Sequence, residues 1–273
     1  MSHKGAVSAT EADVARPPLE FDGLAPEVGQ AFAVNGVACI RGLLDGAAID
    51  HLREWVEIAI RSSEKPERTY IMETQLSARF AGFRDFVASS PVAEAASVIM
   101  GSREVRFYND TIFVKEPAAP EPSPWHQDQP YCFLSGRQNC ATWIALDPAH
   151  EASGAMTYAL GSHRWGKTFS LPDSTDPGTT FDGPRPDIDG NPDRYPTVVF
   201  DIEPGDVVFH HLMTLHKAGP NTTTGTRRRV YSNRMIGDDA VWTDRPFAYA
   251  RIETDLQEGD PVRGPNFPLL WPR

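Results

Sequence analysis

The segment Pro124-Trp125-His126-Gln127-Asp128-Gln129-Pro130-Tyr131 sets an imidazole and a carboxylate two residues apart. In an extended strand, residues i and i+2 project from the same face, so His126 and Asp128 can meet at one point while Gln127 turns away. A second candidate imidazole arrives about ninety residues later, in His210-His211-Leu212-Met213-Thr214-Leu215-His216. Two histidines and one carboxylate, with the remaining positions open, are the donor set of non-haem Fe(II) oxygenases. The His-x-Asp pair alone is common on polar strand faces; the residues after His216 give it weight. Gly219, Pro220, Asn221 and Gly225 mark a turn between two extended runs, and Arg227-Arg228-Arg229 opens the second run. Those turn residues predict a hairpin that returns Arg227 to the side of His216. Strand alternation then puts Arg227 and Arg229 on one face and Arg228 on the other. A planar, always-charged guanidinium beside a metal site suits a dicarboxylate cosubstrate, one end chelating the metal and the other salt-bridged.

The elements that must position these residues fall into two halves. From Leu24 to Met100 the pattern is mainly helical. Ile49, Leu52, Val56 and Ile60 share one face of a helix capped by Asp45, and another helix follows Ser90-Pro91. Gly36 to Arg41 reads as a short strand between helices. From Val105 onward the period changes to two, predicting strands at Val105 to Tyr108, Thr111 to Lys115, Ala141 to Leu146, Ala155 to Leu160, Thr197 to Ile202, Val207 to His210 and Val230 to Met235. Helices first and then many short strands between Pro, Gly and Asp turns favour an α+β domain around an antiparallel barrel or jelly roll. Residues 1–20 lack periodicity and read as a tail, leaving 21–273 as one domain. The Asp-, Pro- and Gly-rich stretch 167–196 reads as a lid loop.

Composition narrows the partners. With 37 acidic against 26 basic residues and a formal net charge of −11, the surface repels a phosphate backbone, so nucleic acid is not an expected partner. No apolar stretch reaches the length of a membrane helix, and no secretory signal pattern opens the chain. Cys39, Cys132 and Cys140 form no CxxC pair and suit a reducing, cytoplasmic setting. GxGxxG, GxxxxGK[ST] and GxSxG are all absent, which argues against dinucleotide, P-loop and serine-hydrolase chemistry. A monomer and a homodimer are equally compatible with the sequence.

The segments Phe107 to Lys115, Trp125 to Tyr131, Ala141 to Asp147, Gly161-Ser162-His163-Arg164-Trp165, Pro204-Gly205-Asp206 and His216 to Arg229 together resemble the phytanoyl-CoA dioxygenase family of Fe(II)/2-oxoglutarate oxygenases. The resemblance implies a double-stranded β-helix (cupin-like jelly roll), with the N-terminal helices packed on one sheet. It implies His126, Asp128 and His216 as Fe(II) ligands. Arg227 would be the partner of the 2-oxoglutarate C5 carboxylate, with Arg229 the alternative if the turn slips by two. Trp143 and Lys115 would belong to the same pocket. The implied reaction uses O₂ and 2-oxoglutarate to oxidise a C–H bond of a small organic molecule, releasing succinate and CO₂. In related halogenases a small residue replaces the carboxylate ligand, so Asp128 argues for hydroxylation. Many relatives carry a hydroxyl residue two places after the distal histidine, where this chain has Ala218. His210, His211 and His163 read as structural. Arg79, Arg84, Arg103 and Arg106 could greet an anionic substrate. The competing reading is a cupin-like metal protein, an isomerase or hydrolase, without 2-oxoglutarate chemistry.

Overall fold

The computed structural model describes residues 16–170, 181–245 and 252–273. In chain order the strands are β1 (Glu20–Asp22), β2 (Val37–Arg41), β3 (Tyr70–Thr74), β4 (Val105–Lys115), β5 (Ser123–His126), β6 (Leu134–Ser135), β7 (Asn139–Ala145), β8 (Met156–Ala159), β9 (Thr197–Val199), β10 (Val207–His210), β11 (His216–Ala218), β12 (Arg228–Ile236), β13 (Val241–Trp242) and β14 (Leu269–Trp271). The helices are α1 (Val28–Asn35), α2 (Gly46–Arg61), α3 (Leu76–Arg79), α4 (Ala81–Ser89) and α5 (Val92–Met100). Among the described residues, eight strands form a major sheet ordered β1-β2-β10-β7-β12-β4-β14, with β3 also paired to β4. A minor sheet runs β5-β11-β8-β9. Helices on one side of a sheet and a second sheet on the other give the α+β jelly roll that the patterning predicts.

Period-two alternation decides which face each side chain serves. Ala38, Ile40, Ile144, Val207, Phe209, Tyr231 and Met235 pack with α1, α2, α4 and α5 in the outer core. Val37, Cys39, Trp143, Val208 and Val230, one residue out of phase, point the other way and meet Tyr158 of the minor sheet. Asp45 caps α2 by accepting from the Ala48 N–H at 2.8 Å, and Ile49, Leu52, Val56 and Ile60 are buried on that helix. None of the described helices is long and apolar enough to cross a membrane.

Four expectations need correction. Glu20 belongs to β1, which runs parallel to β2, and Leu19 O accepts from Cys39 N, so the tail does not extend to residue 20; residues 1–15 lie outside the described ones. The region read as helical contains β3, whose Tyr70-Ile71-Met72-Glu73-Thr74 pairs with β4; a five-residue strand between helices is too short for its period to stand out. The two strands expected at 105–108 and 111–115 are one, because Asn109 and Asp110 pair in register with Arg234 and Asn233 rather than turning. Most consequentially, β11 and β12 are not a hairpin. β11 pairs with β5 and β8 in the minor sheet, whereas β12 pairs with β4 and β7 in the major one. The chain crosses between sheets through a turn in which the Asn221 side-chain amide donates to the carbonyls of Lys115, Glu116 and Thr226.

Candidate metal and cosubstrate site

β5 and β11 are neighbours, and His126 lies directly opposite His216, so the two rings come within 4.1 Å of each other, centroid to centroid. Just past the end of β5 the backbone N–H groups of Asp128 and Gln129 both donate to Leu212 O, which folds the Asp128 carboxylate back toward the histidines. Gln127 turns the opposite way, donating to the carbonyls of Lys167 and Met213 and accepting from Phe169 N. One ligand atom each from His126, Asp128 and His216 lies within 4.8 Å of the others. Asp128 Oδ1 is 3.7 Å from His126 Nε2 and 3.8 Å from His216 Nε2.

The proton positions suit a metal. His126 Nδ1 stands 2.7 Å from Pro124 O and His216 Nδ1 2.8 Å from Thr214 O. A carbonyl oxygen can only accept, so Nδ1 carries the proton in each ring and the Nε2 lone pair faces the aspartate. Burial first, and then His126 and His210 nearby, hold His216 well below the usual imidazole range and so neutral. Burial alone would raise Asp128, but the Arg234 guanidinium beside it wins and keeps the carboxyl well below the usual carboxylate range. Two imidazoles that each turn Nε2 inward and one carboxylate, oriented through their outer atoms, fit a divalent cation of borderline softness such as Fe(II).

These donors open into a cavity of about 350 Å³ between the sheets. Tyr70, Met72 and Thr74 of β3, Tyr108, Thr111 and Phe113 of β4, Trp143 of β7 and Arg228, Ser232 and Arg234 of β12 line it. The Arg228 guanidinium lies 5.6 Å over the Trp143 ring. Although only 2% exposed, Arg228 forms no ion pair among the described residues; its one hydrogen bond there, to Phe113 O, is 3.5 Å long, and its Nε has none. Burial pulls it down to about 10. An unpaired buried guanidinium is costly, so it marks a place built for an anion.

The structure brings His126, Asp128, His216 and Trp143 together but not Arg227. Arg227, the residue before β12, turns to the outer face and pairs with Glu57 of α2 at 3.0 Å and Glu116 at 2.7 Å. Its alternative, Arg229, is held by Asp147 at 2.6 Å and Glu57 at 2.9 Å. Since β12 crosses to the opposite sheet instead of folding back on β11, it is Arg228 that turns inward. Lys115, paired in register with Arg228, is buried but does not line the cavity; its ammonium donates to Gly219 O at the crossover and sits 5.5 Å over Tyr70.

Arg234, seven residues beyond Arg227 and without a motif to flag it, lines the cavity although the sequence reading does not name it. His210, read as structural, also faces the cavity, with neither ring nitrogen hydrogen-bonded among the described residues, 5.3 Å from the Tyr158 ring. His211, by contrast, bonds Arg137 O and Met213 N, and His163 bonds Ala33 O; neither lines the cavity. Arg79 and Arg84 are engaged by Glu73 and Ser77 O, Arg103 and Arg106 by Asp238 and Glu104, all away from the cavity.

Comparison with known proteins bears on the family and the fold. A probable alpha-ketoglutarate-dependent hypophosphite dioxygenase from Stutzerimonas stutzeri is 28% identical over 149 residues, 55% of this chain and 51% of that protein. A probable phytanoyl-CoA dioxygenase from Caenorhabditis elegans is 25% identical over 147 residues, 50% of this chain and 41% of the other. The chain thus spans about half the length of the curated relatives it matches. Among solved structures, the non-heme alpha ketoglutarate dependent carbocyclase SnoK from nogalamycin biosynthesis superposes with a TM-score of 0.72 at 24% identity, covering 90% of this chain and 96% of SnoK. The epimerase SnoN, also from nogalamycin biosynthesis, gives 0.71 at 25% identity, covering 89% and 97%. The family model described as Phytanoyl-CoA dioxygenase (PhyH) matches residues 32–230, running from α1 into β12 and taking in both histidines and the aspartate, so the chain belongs to the phytanoyl-CoA dioxygenase family.

Proposed function

We propose that this protein is an Fe(II)- and 2-oxoglutarate-dependent oxygenase that oxidises a C–H bond of a small organic molecule. The observation that carries the reading is one cavity holding both the His126, Asp128, His216 cluster and, on the same walls, a buried guanidinium without a counter-charge among the described residues. His126, Asp128 and His216 would hold the metal through His Nε2 atoms and the carboxylate. Arg228, stacked on Trp143, would take the far carboxylate of 2-oxoglutarate in place of Arg227. A cupin-like isomerase or hydrolase needs the metal donors but leaves the charge of Arg228 unexplained.

When bound, Fe(II) and 2-oxoglutarate supply O₂ activation and the oxidising power, with succinate and CO₂ released. The chain's residues supply position and exclusion of water. Pro124 O and Thr214 O fix the imidazole tautomers. Arg228 would anchor the cosubstrate by its far carboxylate, leaving the keto acid end for the metal. Tyr70, Met72, Tyr108 and Tyr131 give the substrate a largely apolar wall. Of the stretch 167–196, residues 171–180 lie outside the described ones; its flanks pack Phe169 and Ile188 on Trp125 and Leu215, and the Phe181 ring lies 6.1 Å from Tyr131 at the cavity. That position supports the lid reading. The relatives named after carbocyclisation and epimerisation make those outcomes alternatives to hydroxylation from the same C–H abstraction. Three free, buried cysteines fit a reducing compartment.

The test is anaerobic addition of Fe(II) and then 2-oxoglutarate to metal-free protein, watching for the visible charge-transfer band of the chelated keto acid. A band in the wild type, absent in Asp128→Ala and in Arg228→Gln at matched 2-oxoglutarate, is the expected result. Folded, iron-loaded protein without a band would remove the 2-oxoglutarate assignment.

A further inference from the structure

The two oxygens of Asp128 have different surroundings. Oδ1 faces the Nε2 atoms of His126 and His216. Oδ2 points away from them, accepts a hydrogen bond from Arg234 Nε at 3.1 Å and forms an ion pair with Arg234 Nη2 at 3.0 Å. The remaining end of that guanidinium is held as well: Nη1 donates to Asn109 Oδ1 at 3.2 Å and reaches Thr111 Oγ1 at 3.5 Å, both on β4 beside it. His210 Nε2 also approaches Oδ2, but at 3.8 Å, beyond hydrogen-bonding distance. Arg234 is thus the group that fixes the carboxylate's rotation, anchored through β12 and β4 rather than through the loop that carries Asp128.

We infer that Arg234 is a positioning residue that keeps Asp128 a one-oxygen ligand. A free carboxylate can close on a divalent cation with both oxygens and so occupy two positions. With Oδ2 held by the Arg234 guanidinium, Oδ1 alone would be offered to a metal, leaving more of its positions free for the keto acid and a further small ligand. The charge also explains why β12 carries a second inward arginine where the cosubstrate needs only one. This role rests on the proposed metal site and adds to it a residue that the family match, which ends at residue 230, does not reach.

Cobalt(II), an air-stable stand-in, tests it without turnover. Metal-free wild type, Arg234→Gln and Arg234→Lys are titrated with Co(II), reading affinity and the ligand-field absorption that reports coordination number; melting of the metal-free forms controls for folding. The expected result is a changed spectrum and an affinity loss of about 10- to 100-fold in Arg234→Gln, the size of effect typical of residues that orient a metal ligand. Arg234→Lys, which keeps the charge and one donor, should fall between. A folded Arg234→Gln with the wild-type spectrum and affinity overturns the inference while leaving the metal site standing; a wild type that binds no cobalt overturns both. Should Arg234→Gln not fold, X-ray absorption of the Co(II)-loaded wild type decides: a carboxylate bound through one oxygen supports the role, and one bound through two oxygens overturns it.

Discussion

The outer and inner faces of β12 carry the same residue type and put it to opposite uses. On the outer face Arg227 and Arg229 meet Glu57, Glu116 and Asp147, so their charges tie the major sheet to α2 and to the ends of β4 and β7. On the inner face Arg228 has no counter-charge among the described residues, and Arg234 shares its own with Asp128. Neighbours in sequence, Arg227 and Arg228 differ by half a strand period, and that half period separates a structural ion pair from a ligand site. The lesson is that an arginine's role follows from which sheet its strand joins more than from its distance along the chain.

Replacing Arg228 should break the comparison most sharply. Arg228→Met removes the partner of a buried carboxylate, which costs about 2–5 kcal/mol of cosubstrate binding, or roughly 30- to 5000-fold in the Kd for 2-oxoglutarate. The same change removes an unpaired buried charge from the ligand-free protein, so its melting temperature should rise or hold. Titration of 2-oxoglutarate into the metal-loaded variant, with calorimetric melting of both forms, checks the two signs together. Weaker binding with a clear drop in stability would mean that Arg228 is structural after all.

On the outer face the signs reverse. Arg229 donates to Asp147 at 2.6 and 2.9 Å and to Glu57 at 2.9 Å, so Arg229→Met strands Asp147 in a partly buried site and leaves Glu57 with Arg227 alone. A loss of about 1–3 kcal/mol is expected, seen as a melting temperature lower by roughly 2–4 °C for each kcal/mol. The 2-oxoglutarate Kd should stay within about twofold, since the predicted effect on binding is below the cost of one hydrogen bond. A tenfold change in Kd would show that the two faces communicate and that they cannot be divided so cleanly.

What the sequence makes legible depends on the range of the interactions involved. His126 and Asp128 are two residues apart, α2 has its own cap and stripe, and inward and outward strand positions alternate, so each can be read locally. His216 is far from them in sequence, yet a single strand pairing, β11 on β5, sets it opposite His126. Arg228 was hidden because Gly219, Pro220 and Asn221 signal a change of direction equally well for a hairpin and for a crossover. Only the pairing of β12 with β4 and β7 tells them apart. The cavity-facing positions of Arg234 and His210 were hidden for a related reason: Asp128, just past β5, and Tyr158 of β8 are distant in sequence, and nothing in the residues flanking either one points there.

The smallest effect expected is also the one that separates spacing from structure. Counting from His216, and the family resemblance, both nominate Arg227 as the cosubstrate's partner. Its side chain is 37% exposed and its two ion pairs are shared with solvent, so Arg227→Ala should cost no more than about 1 kcal/mol of stability, and less at high salt. Because Glu57 keeps Arg229 when Arg227 is gone, α2 stays tethered to β12. Cosubstrate affinity, measured beside Arg228→Met under the same conditions, should be that of the wild type. If instead Arg227→Ala lost the charge-transfer band and Arg228→Met kept it, the strand would have to be turned by one residue, with Arg227 inward and the outer ion pairs dissolved.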